Sequence, residues 1–217
     1  MTNLVYDLTQ YPDAVDPKFL EISTAWANQG GQNTVNLTPI HERYYVVWKY
    51  AQHLSNLNGD FVECGAYSGS TSNFMASECK TTLHLFDSWQ GLSDMSEHDN
   101  PLYYDPAHQW PSPKFTYDIN KTKDNLKQHT NIMYHKGWIP DSLTLDSNIS
   151  FLHLDLAVYQ PTKDSLEYFW DKMVEGGTVM IDTHDGWSTG AQKAMEDFFS
   201  GLRTIEMLPT GKAVIIK

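Results

Sequence analysis

Gly59-Asp60-Phe61-Val62-Glu63-Cys64-Gly65-Ala66-Tyr67-Ser68-Gly69-Ser70-Thr71 is the stretch on which the fold turns. Asp60–Cys64 reads as a short buried strand, two glycines turn the chain, and Ser70–Glu78 reads as a helix. Strand, glycine turn and helix in succession make the first unit of a doubly wound sheet, which binds ligands at its strand ends.

The alternation continues downstream. Thr82–Asp87, Asn131–His135, Ile149–Asp155 and Gly177–Asp182 read as strands, and Lys121–His129, Thr162–Val174 and Gly190–Ser200 as helices. Arg203–Leu208 and Lys212–Ile216 flank Pro209-Thr210-Gly211, a hairpin signal. Upstream, Pro39–Ser55 repeats apolar residues at helical spacing (Ile40, Tyr44, Val47, Trp48, Ala51), with Thr38 as its cap. Residues 1–37 read as an irregular arm with room for one short helix. The expected fold is α/β: a doubly wound, mostly parallel seven-stranded sheet with a C-terminal antiparallel hairpin, in one domain over residues 1–217. Residues 88–118 break the pattern, with Trp89, Tyr103, Tyr104, Trp110 and Tyr117 among several prolines. A long aromatic loop in a compact domain reads as a lid over the strand ends.

Composition narrows the function classes. Lys and Arg total 15 against 27 Asp and Glu, a formal net charge of −12 over 217 residues. That balance opposes nucleic-acid binding and docking on an anionic membrane. Two cysteines, Cys64 and Cys79, are too few for a disulfide scaffold and fit buried thiols in a reducing compartment. No apolar run approaches a membrane span, and the acidic N-terminus does not read as a signal peptide, so a cytoplasmic location is expected. With nucleic acid and membrane set aside, a small-molecule partner is expected, and a homo-oligomer stays open.

The glycine turn also constrains the ligand. Pyrophosphate binders use G-x-G-x-x-G so that backbone can approach the phosphates. Here Gly65 and Gly69 stand apart, with Tyr67 between them. S-adenosylmethionine carries no phosphate and tolerates a bulkier turn. Glu63 is placed to accept from its amino-acid end or to organise the loop. Asp87 ends the next strand, where a carboxylate takes ribose hydroxyls.

These residues carry a family resemblance. Thr38-Pro39-Ile40-His41-Glu42-Arg43, GDFVECGAYSGSTSNFM, LFDSWQGLSD, HKGWIPDSL and the block FLHLDLAVYQ…GGTVMIDTHDGW occur in the order of the macrocin O-methyltransferase family, which the chain resembles from about Thr38 onward. The resemblance implies a Rossmann-like class I methyltransferase that uses S-adenosylmethionine. Its cofactor contacts fall on Glu63, Gly65, Tyr67, Ser70, Asp87, Ser88, Gly137, Trp138 and Asp155. It also implies a divalent cation, Mg²⁺ or another, holding the acceptor's hydroxyls. Asp155 and Asp182 match two of the family's metal positions, whereas Ala157 and Thr183 replace family acids. Asp185 or His184 is the compensating ligand on the same loop.

The implied reaction is methylation of a hydroxyl on a small polar natural product or sugar. An alcohol needs a base or a metal to become a nucleophile. His184 is the first base candidate, beside Asp182, with His41 and Glu42 second; His153 reads as a core histidine. Three alternatives remain open at this point: an N-methyltransferase, a metal-free enzyme using His184, and a cofactor-binding protein without catalysis.

Overall fold

The computed structural model describes residues 15–28, 39–99, 115–183 and 189–217, apart from the side chains of Pro39, Ile40 and His41. In chain order the elements are α1 (Pro17–Asn28), α2 (Pro39–Leu54), β1 (Asp60–Cys64), α3 (Ser70–Ala76), β2 (Leu83–Asp87), α4 (Ile119–Asn125), β3 (Ile132–Lys136), β4 (Ile149–Leu154), α5 (Tyr159–Phe169), β5 (Met173–Asp182), α6 (Gly190–Phe199), β6 (Glu206–Met207) and β7 (Lys212–Ile216). They build one seven-stranded sheet in the order β3-β2-β1-β4-β5-β7-β6. Strands β1 to β5 pair in parallel, and β7 runs antiparallel to both β5 and β6. This is the α/β architecture expected from the alternation. The strand order reverses between β1 and β4, which opens a crevice at their carboxyl ends.

The two-residue period of a strand sorts side chains onto two layers. Val62, Cys64, Phe86, Leu152, Leu154, Val179, Ile181, Ala213 and Ile215 pack with Leu166 and Phe169 of α5 and Met195 and Phe199 of α6. The intervening residues Phe61, Leu83, Leu85, Phe151, Met180 and Val214 pack with Val46, Val47, Ala51 and Leu54 of α2. Glu63, Asp87, His153, Asp182 and Lys212 share this second parity. The polar residues at the strand ends are therefore directed to the α2 side. Cys64 and Cys79 are buried and free.

Several boundaries differ from the sequence reading. Helix α5 begins at Tyr159 rather than Thr162, because Asp99 Oδ1 accepts from Tyr159 N–H (2.7 Å) and Pro161 fits the first turn. It gives way at Trp170–Lys172 to a 3₁₀ turn, and β5 starts at Met173 rather than Gly177. The early start is absorbed by a register shift: Ile149 pairs with Met173, but Phe151 already pairs with Thr178. Arg203–Leu208 supplies only a two-residue strand, Glu206–Met207.

In the N-terminal arm, residues 17–28 form a full helix. Its Phe19 stacks on Phe74 and meets Tyr45 edge-on, both with ring centres 5.0 Å apart. The arm's residues 1–14 and 29–38 lie outside the described residues, as do 100–114 of the expected lid. The described residues on either side of 100–114 are anchored. Gln90 forms an antiparallel bridge with Thr116, and Trp89 is buried. Asp99 fits so closely against α6 that a Cβ at Gly190 would lie 1.8 Å from its Oδ1.

Candidate active site

The crevice between β1 and β4 is built around a backbone contact. Asp155 N–H donates to Cys64 O (2.9 Å), and Gly65 N–H donates to Phe86 O (2.8 Å), tying three strand ends together. Gly65 has φ +94°, and a Cβ there would stand 2.1 Å from Asp155 O. Glycine is demanded twice, by the dihedral and by the space. Tyr67 follows at φ +45°, an uncommon conformation for a large residue. Three hydrogen bonds hold it: its N–H donates to Asp87 Oδ2 (2.8 Å), and its carbonyl accepts from Thr122 Oγ1 (2.6 Å) and Trp89 Nε1 (3.0 Å).

A cavity of about 380 Å³ lies over this turn, within the range of small-molecule sites. Gly65, Tyr67, Asp87, Ser88, Gly137, Trp138 and Asp155 line it. A smaller recess of about 190 Å³ shares Gly65, Tyr67 and Asp155 with it and adds Tyr44 and Ser70. Eight of the nine expected cofactor residues thus border these two adjoining recesses. Glu63 is the exception. It is buried behind the turn, accepting from Ser72 Oγ, with Oε1 3.2 Å from His153 Nδ1. Of the two roles read for it, this position favours organising the loop.

Electrostatics suit a cationic guest. Burial raises the Asp87 carboxyl above the usual range; hydrogen bonds from Tyr67 and Trp89 pull it down, and Glu63 and Asp155 push it further up. A sulfonium or ammonium group in the cavity would relieve that repulsion. Tyr44, hydrogen-bonded to Ser70, is also raised, chiefly by burial, and stays a neutral phenol.

The expected metal site differs. Asp182 is buried, and each carboxylate oxygen is taken by a cation: Arg43 Nη2 on Oδ1 and Lys212 Nζ on Oδ2 at 2.8 Å. Thr183 Oγ1 donates to Gly211 O at 2.7 Å, away from the acids. Among the described residues, no three His, Cys, Asp or Glu side chains are grouped to hold an ion. These groups do not fit a divalent cation, which needs carboxylate oxygens free of other cations. Asp185, the third expected ligand, and His184, the expected base, lie outside the described residues.

Sequence reasoning passed over three of these residues. Arg43 figured only within a motif, Tyr44 only as an apolar helix position, and Lys212 only as the start of a strand. His153 is fully buried as expected, yet it is polar linkage rather than packing: Nδ1 faces Glu63, and Nε2 lies 3.3 Å from Lys212 Nζ. Trp89, read with the aromatics of residues 88–118, is tied to the Tyr67 turn, bonded to Tyr67 O and Thr122 Oγ1 (both 3.0 Å).

Known proteins share this arrangement. The O-methyltransferase NovP superposes with a TM-score of 0.68 at 18% identity, covering 81% of this chain and 79% of its own. The calicheamicin methyltransferase CalS11 superposes with the same TM-score and identity over 100% of this chain and 98% of its own. At that identity they show the fold. A curated relative from Streptomyces olivaceus, 8-demethyl-8-(2,3-dimethoxy-alpha-L-rhamnosyl)-tetracenomycin-C 4'-O-methyltransferase, is 21% identical over 138 residues. That match takes in 58% of this chain and 53% of the relative, about half its length. The family pattern for Macrocin-O-methyltransferase (TylF) matches residues 50–207, from within α2 through β6. With its motifs, its sheet order and most of its length in agreement, the chain belongs to the macrocin O-methyltransferase family.

Proposed function

We propose that this protein transfers a methyl group from S-adenosylmethionine to a hydroxyl of a small polar acceptor, a sugar or sugar-bearing natural product. The observation that carries the reading is the cavity of about 380 Å³ over the Gly65 turn, with Asp87 and Asp155 on its wall and Trp138 at its rim. When bound, the cofactor supplies an electrophilic methyl on a sulfonium sulfur. Asp87 would accept from the ribose hydroxyls, each oxygen keeping a lone pair beyond its backbone N–H. Gly137 and Trp138 would wall the adenine. Asp155, shared by both recesses, would sit beside the cationic centre. In the transfer, the acceptor oxygen bonds to the methyl carbon as the carbon–sulfur bond breaks, and its proton passes to a base. His184, two residues beyond Asp182, is our candidate base, with Asp182 fixing the start of its loop.

The relatives support the acceptor class: one acts on a rhamnosyl-bearing tetracenomycin, and another belongs to calicheamicin biosynthesis. We read the lid as residues 88–118 and the domain as the whole chain. No helix among the described residues is long and apolar enough to cross a membrane. With the acidic charge, this favours a cytoplasmic enzyme whose partner is a small molecule rather than nucleic acid or lipid, whether monomeric or homo-oligomeric.

The test has two steps. S-adenosylhomocysteine should bind in calorimetry and raise the melting temperature; at 100 times its Kd the gain is about 2.7 kcal/mol. Labelled S-adenosylmethionine should then methylate glycosides with free hydroxyls in preference to matched amino sugars. Absence of binding would end the methyltransferase reading. Transfer to amino sugars alone would replace hydroxyl with amine.

A further inference from the structure

Asp155 follows β4 and Asp182 ends the adjacent parallel strand β5, so both belong to the same end of the sheet. In the resembled family such acids hold a metal. Here the counter-charge comes from the chain itself. Lys212 opens β7 directly opposite Asp182 in the antiparallel register, so the two side chains leave the sheet on one face. Lys212 Nζ lies 2.8 Å from Asp182 Oδ2 and 3.3 Å from His153 Nε2, and its side chain is only 3% exposed. Beyond His153 the line runs to Glu63, the register partner of His153, and so to the cofactor turn. Beyond Asp182 it runs to Arg43 of α2, whose side chain is 30% exposed. Cation, anion, cation, imidazole and anion follow one another from Arg43 on α2 to Glu63 at the base of the glycine turn.

A buried lysine is retained only if paired, because stranding its charge is strongly unfavourable. A divalent ion on Asp182 would have to displace or repel that ammonium at contact distance. We infer that Lys212 is the resident cation of this site: with Arg43 it replaces the divalent ion, fixes Asp182 at the end of β5, and makes methyl transfer independent of metal. The inference rests on the methyl-transfer reading of the cleft. Lys212 is a positioning residue, since its charge acts through Asp182 on the end of β5.

The test is Mn²⁺ binding followed by electron paramagnetic resonance, on protein saturated with S-adenosylhomocysteine. Calorimetric binding of that ligand tests the methyl-transfer reading separately, so failure of one is distinct from failure of the other. The wild type should show no saturable Mn²⁺ signal up to about 1 mM, the weak end of protein cation sites. Saturable binding at one ion per chain that is lost in Asp182→Asn would overturn the proposal. The double variant Lys212→Ser, Thr183→Asp removes the resident cation and adds the missing acid, and should gain a single Mn²⁺ site at least tenfold tighter than any wild-type signal. A double variant that still binds S-adenosylhomocysteine yet gains no site would also overturn it. If that variant does not fold, the wild-type titration decides. In turnover assays, extensive EDTA treatment should change the wild-type rate by less than twofold.

Discussion

Asp87 and Asp182 both end parallel strands of one sheet, in the same side-chain parity, yet they live under different electrostatic regimes. Asp87 faces a cavity, is held by two backbone N–H groups, and is pushed toward protonation by burial and by neighbouring acids. Asp182 is sealed in, with a cationic side chain on each oxygen. The first carboxylate is left in want of a positive partner, which a ligand can provide. The second already has two and is available to hold structure. A strand-end acid therefore announces a ligand only when the protein has not itself answered its charge.

The contrast predicts opposite phenotypes. The largest effect belongs to Asp182→Leu, which leaves Lys212 buried beside no carboxylate and should cost about 3–5 kcal/mol in urea unfolding. Adding Lys212→Met should restore most of that loss, because the buried charges then leave together. If the double variant is no more stable than the single one, the pairing is not what holds this end of the sheet.

Next is Gly65→Ala. Its Cβ would stand 2.1 Å from Asp155 O at a left-handed φ, so the β1 and β4 tips must separate. Strain and overpacking together should cost about 3 kcal/mol, and S-adenosylhomocysteine binding should disappear from calorimetry. Retained affinity would show that the crevice is wider in solution than the contact allows.

Asp87→Asn should leave stability nearly unchanged and weaken S-adenosylhomocysteine by about 1–3 kcal/mol. Acidification sharpens this difference. A carboxyl whose folded pKa is raised binds protons more readily folded than unfolded, so Asp87 opposes folding once pH climbs through and above the ordinary Asp value. Ligand affinity runs the other way: it needs the carboxylate and should fall as pH drops through that raised value. Calorimetry from pH 7 to 4 should show the fall in wild type and a flatter profile in Asp87→Asn.

The smallest effect is at Ala157, which holds φ +62° on the cavity wall. Ala157→Gly ordinarily costs about 0.5–1 kcal/mol through the unfolded chain. Here release of left-handed strain should offset it, leaving the melting temperature unchanged or slightly higher. A clear drop would mean the Ala157 methyl contributes packing that outweighs the strain.

The readability of the two regions from sequence follows the same division. The cofactor side is local: strand, Gly65, Gly69 and helix are contiguous, and Asp87 lies one βα unit on, so hydrophobic period and turn chemistry suffice. The Asp182 side is assembled from α2, β4, β5 and β7, and its charges meet only once the sheet is closed. Lys212 could have been found by pairing the two strands that flank the C-terminal turn with β5, which sets it opposite Asp182. Nothing local marks Arg43, whose partner is 139 residues away. The starts of α5 and β5 were misplaced for a related reason: Asp99 caps α5 from a distant loop, and the extra residues of β5 disappear into a register shift.

The bridge between Gln90 and Thr116 has an evolutionary consequence. It clamps the root of the intervening chain, so the sheet beneath experiences the same two tethered ends whatever lies between them. Lengthening such a segment is cheap, about 0.6 kcal/mol for each doubling. Insertion, deletion or exchange between residues 91 and 115 is therefore cheap for the fold, and the turn at Gly65 keeps its geometry whatever length of chain evolution places there.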